Sequence, residues 1–589
     1  MRTPKTKGGE FTSMKVTDAV AKFLVGHRVQ TCFELVGGMI THLLDSFAES
    51  GQFKIVSMHH EQSAAFAAEG VARYTKGKTI AVAMGTSGPG ATNLITGIGS
   101  CWFDSVPCLF ITGQVNTSEL IGERNVRQQG FQELDIVEVA HSLTKYAVRV
   151  DSADDVLPEL HKALSLALSG RQGPVLLDIP NDVQRCDIPD DDVEQWLNTA
   201  LEINRNPEIS VNKLNKLNAL CEVSQRPLIL IGGGARWADS MDQWLLEADA
   251  KGIPYVSTLM GHEQVVGGNN YFNMIGSYGN REANWAVQNC DLLVVLGARL
   301  DVRQTGAAVD DFARNARIIQ IDIDPSQLSN RIKADLDICA SCESFFKMLP
   351  IQSGAFKSLD ESWLINLETQ RYRSCFDEYS DWDISPSDIF KKLNQALKKS
   401  AVDYVCDVGN HQMWAAQSLR LSPNQAVHYS GGMGAMGFAL PTALGIAIES
   451  QEKVVVITGD GSLQINIQEL DTLNRLGLNV TIIVMNNSVL GMVKNFQDMY
   501  FDGRDQSTNK GYSSPSFTDI AMAYGIQSCR VDSVEDMDHA LILVEEHKGP
   551  LLIELMMAGA TECRPRLAFG SKLDEQFPVK KFMEAPLNE

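Results

Sequence analysis

The sequence predicts an α/β protein made of three doubly wound parallel-sheet domains. Three observations lead there. Short apolar runs alternate with stretches of helical period along most of the chain, the pattern of strands buried between helices. One stretch is a complete βαβ unit: the run Val454–Thr458, a tight Gly459-Asp460-Gly461 turn, a helix with Leu463, Ile467 and Leu470 at offsets 0, 4 and 7, and the run Val480–Met485. Its strands should be parallel with a right-handed crossover. The length, 589 residues, suits about three to four domains of ordinary size.

In chain order, residues 1–13 are polar and basic without an apolar core, so they read as a disordered extension and not a secretory signal. Residues 14–190 form the first domain, with helix Val16–Leu24, strand Phe53–Ser57, an alanine-rich helix Ser63–Tyr74, strand Thr79–Met84, the turn Thr86–Asn93 and strand Cys108–Thr112. Residues 205–350 form the second, with strands Leu228–Ile231, Leu292–Leu296 and Arg317–Ile323. Its Gly232-Gly233-Gly234 follows a strand but does not match the dinucleotide fingerprint. Residues 351–384 read as a partly helical linker, 385–560 as the third domain, and 561–589 as a tail with Pro565, Pro578 and Pro586. The first and third domains are alike in size and pattern without a clear sequence repeat.

Hydrophobic content of 44% with 21% charged residues is ordinary for a globular protein. A net charge of −22 argues against nucleic acid as a partner, and no apolar run is long enough to span a bilayer. The 12 cysteines are scattered, and the single pair Cys339 and Cys342 reads as incidental. Reduced thiols and a cytoplasmic location are the default expectation.

The βαβ unit carries the chemistry. Asp460 and Asn487 fall at the carboxyl ends of adjacent parallel strands, where α/β sheets bind ligands. A carboxylate and a carboxamide are hard oxygen donors of the kind Mg2+ prefers, and few protein ligands leave room for phosphate oxygens and water. The flanking glycines let backbone approach a phosphate closely. Gly-Asp-Gly alone is a common turn. With Asn486-Asn487 following after 24 residues (462–485), however, it resembles the thiamin diphosphate signature. The resemblance implies that Asp460, Asn487 and the carbonyl of Val489 hold Mg2+ against the cofactor diphosphate.

Further strings carry the same resemblance: His60-Glu-Gln62, Thr86–Leu94, Ile111–Val115, Gly130–Glu133, His411–Gln417, Gly431–Phe438, Asn466–Leu470 and Leu490–Val493. Together they cover nearly the whole chain after residue 14. The chain is similar to the thiamin diphosphate enzyme family, in particular to the acetolactate (acetohydroxyacid) synthase catalytic chains. The cofactor of that family supplies carbanion stabilisation, and the protein supplies orientation and proton management. Glu61 resembles the glutamate that activates the cofactor pyrimidine; on its own it would read as an acid favoured by the helix dipole. Gly38, Phe131 and Gln132 resemble the residues beside the reacting centre. Asn410, His411, Gly461 and Ser462 are implied diphosphate contacts, although the family usually has glutamine where Asn410 stands. The carbonyl of Gly434 is implied for the aminopyrimidine, and Met436 and Met492 line the cofactor. Arg303 resembles the arginine that holds an acceptor carboxylate, a task that suits a guanidinium, with Val493 and Phe496 beside it. The middle domain resembles the FAD-binding type, with Gly232, Gly233 and Arg299 as candidate contacts.

What the resemblance implies is a carboligase. A 2-oxo acid such as pyruvate loses CO2 and its two-carbon unit joins a second carbonyl, in a homodimer or homotetramer, with a regulatory subunit as a further partner and branched-chain amino acid biosynthesis as the setting. The His-His pair of decarboxylating relatives is missing near Gly38, which points to ligation over aldehyde release. Several positions depart from the pattern: Phe496 replaces a tryptophan, Asn181 a lysine and Val302 an aspartate, the turn Gly276–Gly279 lacks a histidine, and the tail differs. These departures leave the acceptor and FAD open, with a keto-sugar nucleotide as the alternative acceptor. An oxidoreductase using the middle domain and a silent binding protein are the readings from other classes.

Overall fold

The computed structural model describes residues 12–204, 208–349, 354–375 and 377–579. These divide into two compact units, one of residues up to Arg205 with Leu444–Glu449, the other of the remainder.

The first unit holds a six-stranded parallel sheet of β1 (Thr31–Leu35), β2 (Lys54–Ser57), β3 (Val82–Gly85), β4 (Leu109–Gln114), β5 (Tyr146–Arg149) and β6 (Val175–Pro180), in the spatial order β2-β1-β3-β4-β6-β5. Strands β3, β4 and β6 are buried along their whole length, because helices cover both faces and no polar alternation is needed. Ser13 already lies in the fold, opening a short strand, Ser13–Lys15, that pairs antiparallel with Asp187–Pro189. The extension expected over residues 1–13 is therefore too long at its end, and the rest of it lies outside the described residues. Past Asp190, the helix Asp190–Asn198 seats Val193 in this unit's core.

The second unit contains two more sheets. One is β7 (Pro227–Ile231), β8 (Tyr255–Ser257), β9 (Tyr271–Met274), β10 (Leu292–Leu296), β11 (Arg317–Asp322) and β12 (Leu336–Cys339), ordered β9-β8-β7-β10-β11-β12. That is the dinucleotide-fold order, reversing at the first strand. The other is β13 (Val402–Cys406), β14 (Gln425–Tyr429), β15 (Lys453–Gly459), β16 (Val480–Asn486), β17 (Gln527–Val531) and β18 (Leu551–Met556), ordered β14-β13-β15-β16-β18-β17. All are parallel, and the first and last sheets share one strand order. Similar pattern without sequence repeat thus corresponds to the same topology.

Three expectations change. The single helix read through Leu463, Ile467 and Leu470 is broken into Asp460–Leu463, a 3-10 turn Gln464–Asn466 and a helix Glu469–Leu476. Asn466 sits at the break, its amide donating to the Gly437 carbonyl at 2.8 Å. The linker carries the helix Glu361–Arg373, whose Trp363 and Leu367 are part of the central-sheet core. The tail is folded as far as described: Arg566–Leu567 pairs antiparallel with Gln576–Phe577. Leu573 enters the same core, and the Leu567 N–H donates to Ser277 O at 2.8 Å. Cys342 is a core residue, and Cys339 donates only to the Ile323 carbonyl. No group of three or more metal-ligating side chains occurs among the described residues, and no helix there is long and apolar enough to cross a membrane.

Trp363 is 1% exposed, donates from its indole to Pro227 O at 3.1 Å and stacks on Trp285 at 5.7 Å. Trp363→Ala should therefore lower stability by about 3–5 kcal/mol. Urea unfolding of the purified protein checks this; an unchanged midpoint would mean the segment is a linker after all.

Candidate functional site

In the second unit the register pairs Gly459 on β15 with Met485 on β16. The next residues on each strand, Asp460 and Asn486-Asn487, therefore leave the sheet side by side. Asp460 is 2% exposed. Burial pushes its carboxyl up to about 6, against the Tyr512 hydroxyl and the backbone N–H groups of Asp460, Asn487 and Gly461, which favour the charged form. The Tyr512 hydroxyl donates to Oδ2 at 2.8 Å. The Asn487 side chain donates through Nδ2 to Ala560 O at 2.6 Å, so its Oδ1 faces away from that carbonyl; Oδ1 accepts the Val489 N–H at 3.2 Å. The Val489 carbonyl accepts the Gly491 N–H at 3.0 Å, leaving one lone pair for a ligand. Between them Ser488 is left-handed at φ +58°, fixed by Asn486 Oδ1, which accepts its N–H at 3.0 Å. Asn486 is tied to Glu554, and Glu554 also accepts the N–H groups of Phe517 and Thr518.

Asn410 and His411 begin the helix Asn410–Ser418, at the end of β13. A methyl on Gly491 would lie 2.4 Å from Asn410 Nδ2 and 3.2 Å from Asn487 Nδ2, and one on Gly459 would lie 2.9 Å from the His411 ring. These residues therefore occupy one pocket. Asn410 Nδ2 and His411 Nε2 are buried with no hydrogen-bond partner among the described residues. Burial lowers His411 to about 3, so its ring is neutral. Ser462 donates to Val408 O at 2.7 Å, so its hydroxyl proton is already used. Gly434 stands at φ +64° with open space where a side chain would go, and Met436 reaches within 3.4 Å of a methyl on Gly461.

The loop bearing Gly434 and Met436 hangs on Asp407, which sequence reasoning missed. Asp407 is 1% exposed and accepts the N–H groups of Val408, Gly437 and Ala439 at 2.9, 2.9 and 3.2 Å. Tyr512 was missed too; both are single polar residues whose partners lie far off in sequence. The pocket residues fit a metal-bound diphosphate: a desolvated carboxylate and an amide oxygen on one side, and an unpartnered amide donor with the N-terminus of the helix Gly491–Tyr500 on the other.

A half-open cleft in the same unit is lined by Met260, Met274, Tyr278, Arg299, Arg303 and Met413 among others. Arg299 pairs with Asp301 at 3.3 Å, whereas the exposed Arg303 guanidinium has no partner among the described residues. Val493 and Phe496 are about half exposed and Met492 is half-buried. Gly232 and Gly233 have a packing reason to be glycine: a methyl on Gly232 would stand 2.4 Å from Gly297 O, and one on Gly233 2.8 Å from Met260. The two glycines are therefore no evidence for a bound nucleotide.

In the first unit Glu61 is the first residue of the helix Glu61–Tyr74, 5% exposed, and accepts Asn93 Nδ2 at 2.9 Å. His60 caps this helix through its ring, which accepts the Gln62 N–H at 3.0 Å. A methyl on Gly90 would lie 3.1 Å from Glu61 Oε1 and 2.9 Å from Thr86, and one on Gly37 would overlap Thr86. Gly38 faces open space, and Gln132, at φ +62°, packs under Gly88. Glu61, Gly38 and Gln132 thus gather round the Thr86–Gly90 turn, with Phe131 next to Gln132 and 79% exposed. Glu133 pins their loop by accepting the N–H groups of Ile121, Gln129 and Gly130.

Three family models match in order: the thiamine pyrophosphate enzyme N-terminal TPP binding domain over residues 14–139, the central domain over 214–349 and the C-terminal TPP binding domain over 407–555. Among curated proteins, the acetolactate synthase large subunit of Cyanidium caldarium is 32% identical, over 97% of this chain and 98% of its own. The Escherichia coli acetolactate synthase isozyme 3 large subunit is 34% identical over 96% and 98%, and tobacco chloroplastic acetolactate synthase 2 is 34% identical over 94% and 84%.

Asp178 is 1% exposed and accepts the Thr112 hydroxyl and the Gln114 amide at 2.8 and 3.0 Å. Burial pushes it up to about 7. Since its unfolded value is about 3.9, it contributes stability that is complete below about pH 4 and lost as pH rises through about 7. Thermal melts at stepped pH should show that decline in the wild type and a flatter profile in Asp178→Asn; parallel profiles would contradict it.

Proposed function

Since this chain belongs to the thiamine pyrophosphate enzyme family, we propose that it is a thiamin diphosphate- and Mg2+-dependent carboligase of the acetolactate synthase kind. It removes CO2 from a 2-oxo acid, most simply pyruvate, and passes the two-carbon unit to a second carbonyl. One observation carries the metal–diphosphate reading: the pocket that joins Asp460's strand end to Asn410 holds both a desolvated carboxylate and a buried amide donor with no partner among the described residues. A cation answers the first and an anion the second.

Asp460, Asn487 and the Val489 carbonyl would hold the cation. Asn410, His411 and Gly461 would receive the diphosphate, with Ser462 beside them. The cofactor supplies the electron sink that makes decarboxylation and carbon–carbon bond formation feasible. Glu61 would hold a proton at the pyrimidine, kept in place by Asn93. The Gly434 carbonyl would accept the aminopyrimidine, and Met436 and Met492 would set the cofactor's bend. Gly38, Phe131 and Gln132 would line the reacting carbon and keep water from it. Arg303 would orient the acceptor carboxylate, with Val493 and Phe496 as the wall. A flavin would lie in the cleft by Arg299 without taking part in proton transfer. The first unit of one chain would complete the second unit of another, making a homodimer or a larger homo-oligomer. The words "large subunit" in the relatives' names support a second, regulatory polypeptide. The cytoplasm would be its location.

The openness of these positions favours one other reading, a keto-sugar nucleotide as acceptor: Val493, Phe496 and Val302 are each about half exposed.

Protein supplied with thiamin diphosphate, Mg2+ and pyruvate alone should form a product that yields acetoin on acidification. Pyruvate consumed only when a keto-sugar nucleotide is added would move the assignment to the second acceptor. Glu61→Gln should lose about 100-fold or more in turnover while calorimetric cofactor binding persists. Mixing it with Asp460→Ala should restore part of the activity, and failure to do so after proven subunit exchange would count against sites shared between chains.

A further inference from the structure

The segment after β18, Ala560 to Cys563, touches both carboxamides of the pocket with opposite polarity. The Ala560 carbonyl accepts Asn487 Nδ2 at 2.6 Å. The Cys563 thiol has two acceptors on Asn410, Oδ1 at 3.3 Å and the backbone carbonyl at 3.6 Å, of which the side-chain oxygen is the nearer. An amide tied by its nitrogen presents its oxygen, and one tied by its oxygen presents its nitrogen. We propose that Cys563 is a positioning residue that fixes the flip of Asn410, so that with Ala560 this segment turns one amide oxygen toward the cation and one amide nitrogen toward the diphosphate. The inference rests on the metal–diphosphate reading above.

Several observations support it. Asn410 is 5% exposed and Cys563 1%, so no bulk water replaces the thiol. Asn410 Nδ2 is left unpartnered and lies 2.4 Å from where a methyl on Gly491 would be, at the N-terminus of the ten-residue helix Gly491–Tyr500. Burial raises the Cys563 thiol above its usual range, so it keeps the proton it donates. Without that donor the two flips of Asn410 differ little in energy, and one of them aims an oxygen at an anion. The cysteine thus acts through Asn410 and touches no cofactor atom.

The test is calorimetric titration of thiamin diphosphate into full-length protein at saturating Mg2+. Cys563→Ala should weaken binding about tenfold, with kcat at saturating cofactor unchanged. Cys563→Ser, which keeps a donor, should stay within about threefold of wild type. In an Asn410→Ala background, Cys563→Ala should have no further effect, because the group it orients is gone. If the alanine variant does not fold, Cys563→Val fills the volume without a donor and should give the same loss. Wild-type affinity in the alanine or valine variant, or the same loss with and without Asn410, would overturn the inference. A wild-type protein that binds no thiamin diphosphate would instead overturn the cofactor reading itself, and this inference with it.

Discussion

A carboxylate buried at the end of a parallel strand sets the terms for the rest of the second unit. Asp460 has one hydroxyl and a few backbone N–H groups for company, and these do not offset its desolvation, since its carboxyl stays raised to about 6. A buried charge is stable only when paired or coordinated. The register of β15 on β16 makes the location unavoidable, because it delivers Asp460 and Asn487 together at the carboxyl edge. Asp407 repeats the logic on the neighbouring strand β13. There the surrounding backbone N–H groups come from the loop 437–439, so the cost of burying the charge is turned into a fixed loop. Both carboxyls stay raised to about 6. The two acids differ not in how fully the charge is answered but in what answers it: a loop of the same chain at Asp407, and at Asp460 one hydroxyl and N–H groups at a strand end that also carries Asn487.

The strands were legible because both faces of each sheet are covered, so central strands such as Leu292–Leu296 and the Val454–Ile457 part of β15 are unbroken apolar runs. Val480–Met485 became Val480–Asn486, and Leu292–Leu296 kept its ends. Legibility failed where a tertiary contact overrides a local period. Leu463, Ile467 and Leu470 fit a helix, yet Asn466 is drawn to the Gly437 carbonyl and the helix breaks. Trp363 looked like part of a linker because its partners, Pro227 and Trp285, are distant in sequence. The tail shows no period, since it is held by bonds to the turn at Ser277–Gly279 and by single apolar residues such as Leu573, not by a continuous packed face.

The candidate site was legible through its short strings, but those strings name contacts and not supports. Asp407, Tyr512, Glu554 and Cys563 each make one or more buried hydrogen bonds to a residue the strings contain or to its loop. None of the four sits at a spacing that signals it. The glycines illustrate the reverse error. Gly232 and Gly233 suggest a nucleotide turn, whereas the backbone of Gly297 and the side chain of Met260 fill the space their side chains would need. Gly434 differs: its φ of +64° and the open space beside it leave both a conformational reason and room for a ligand.

The two halves of the proposed chemistry are constrained to different degrees. The metal–diphosphate pocket is built from strand ends and helix starts, with the carboxylate, both asparagine side chains and the loop each tied by named bonds. The acceptor region has no such framework. Arg303 is exposed with no guanidinium partner among the described residues, and Val493 and Phe496 stand half exposed on one helix, where Phe496 lies 4.7 Å from Tyr500 and 5.9 Å from Phe501. Side chains in that condition can be exchanged without disturbing a core. Val302 and Phe496, where the sequence departs from the family pattern it resembles, are both about half exposed. A shared fold therefore constrains the first half-reaction far more than it constrains the second.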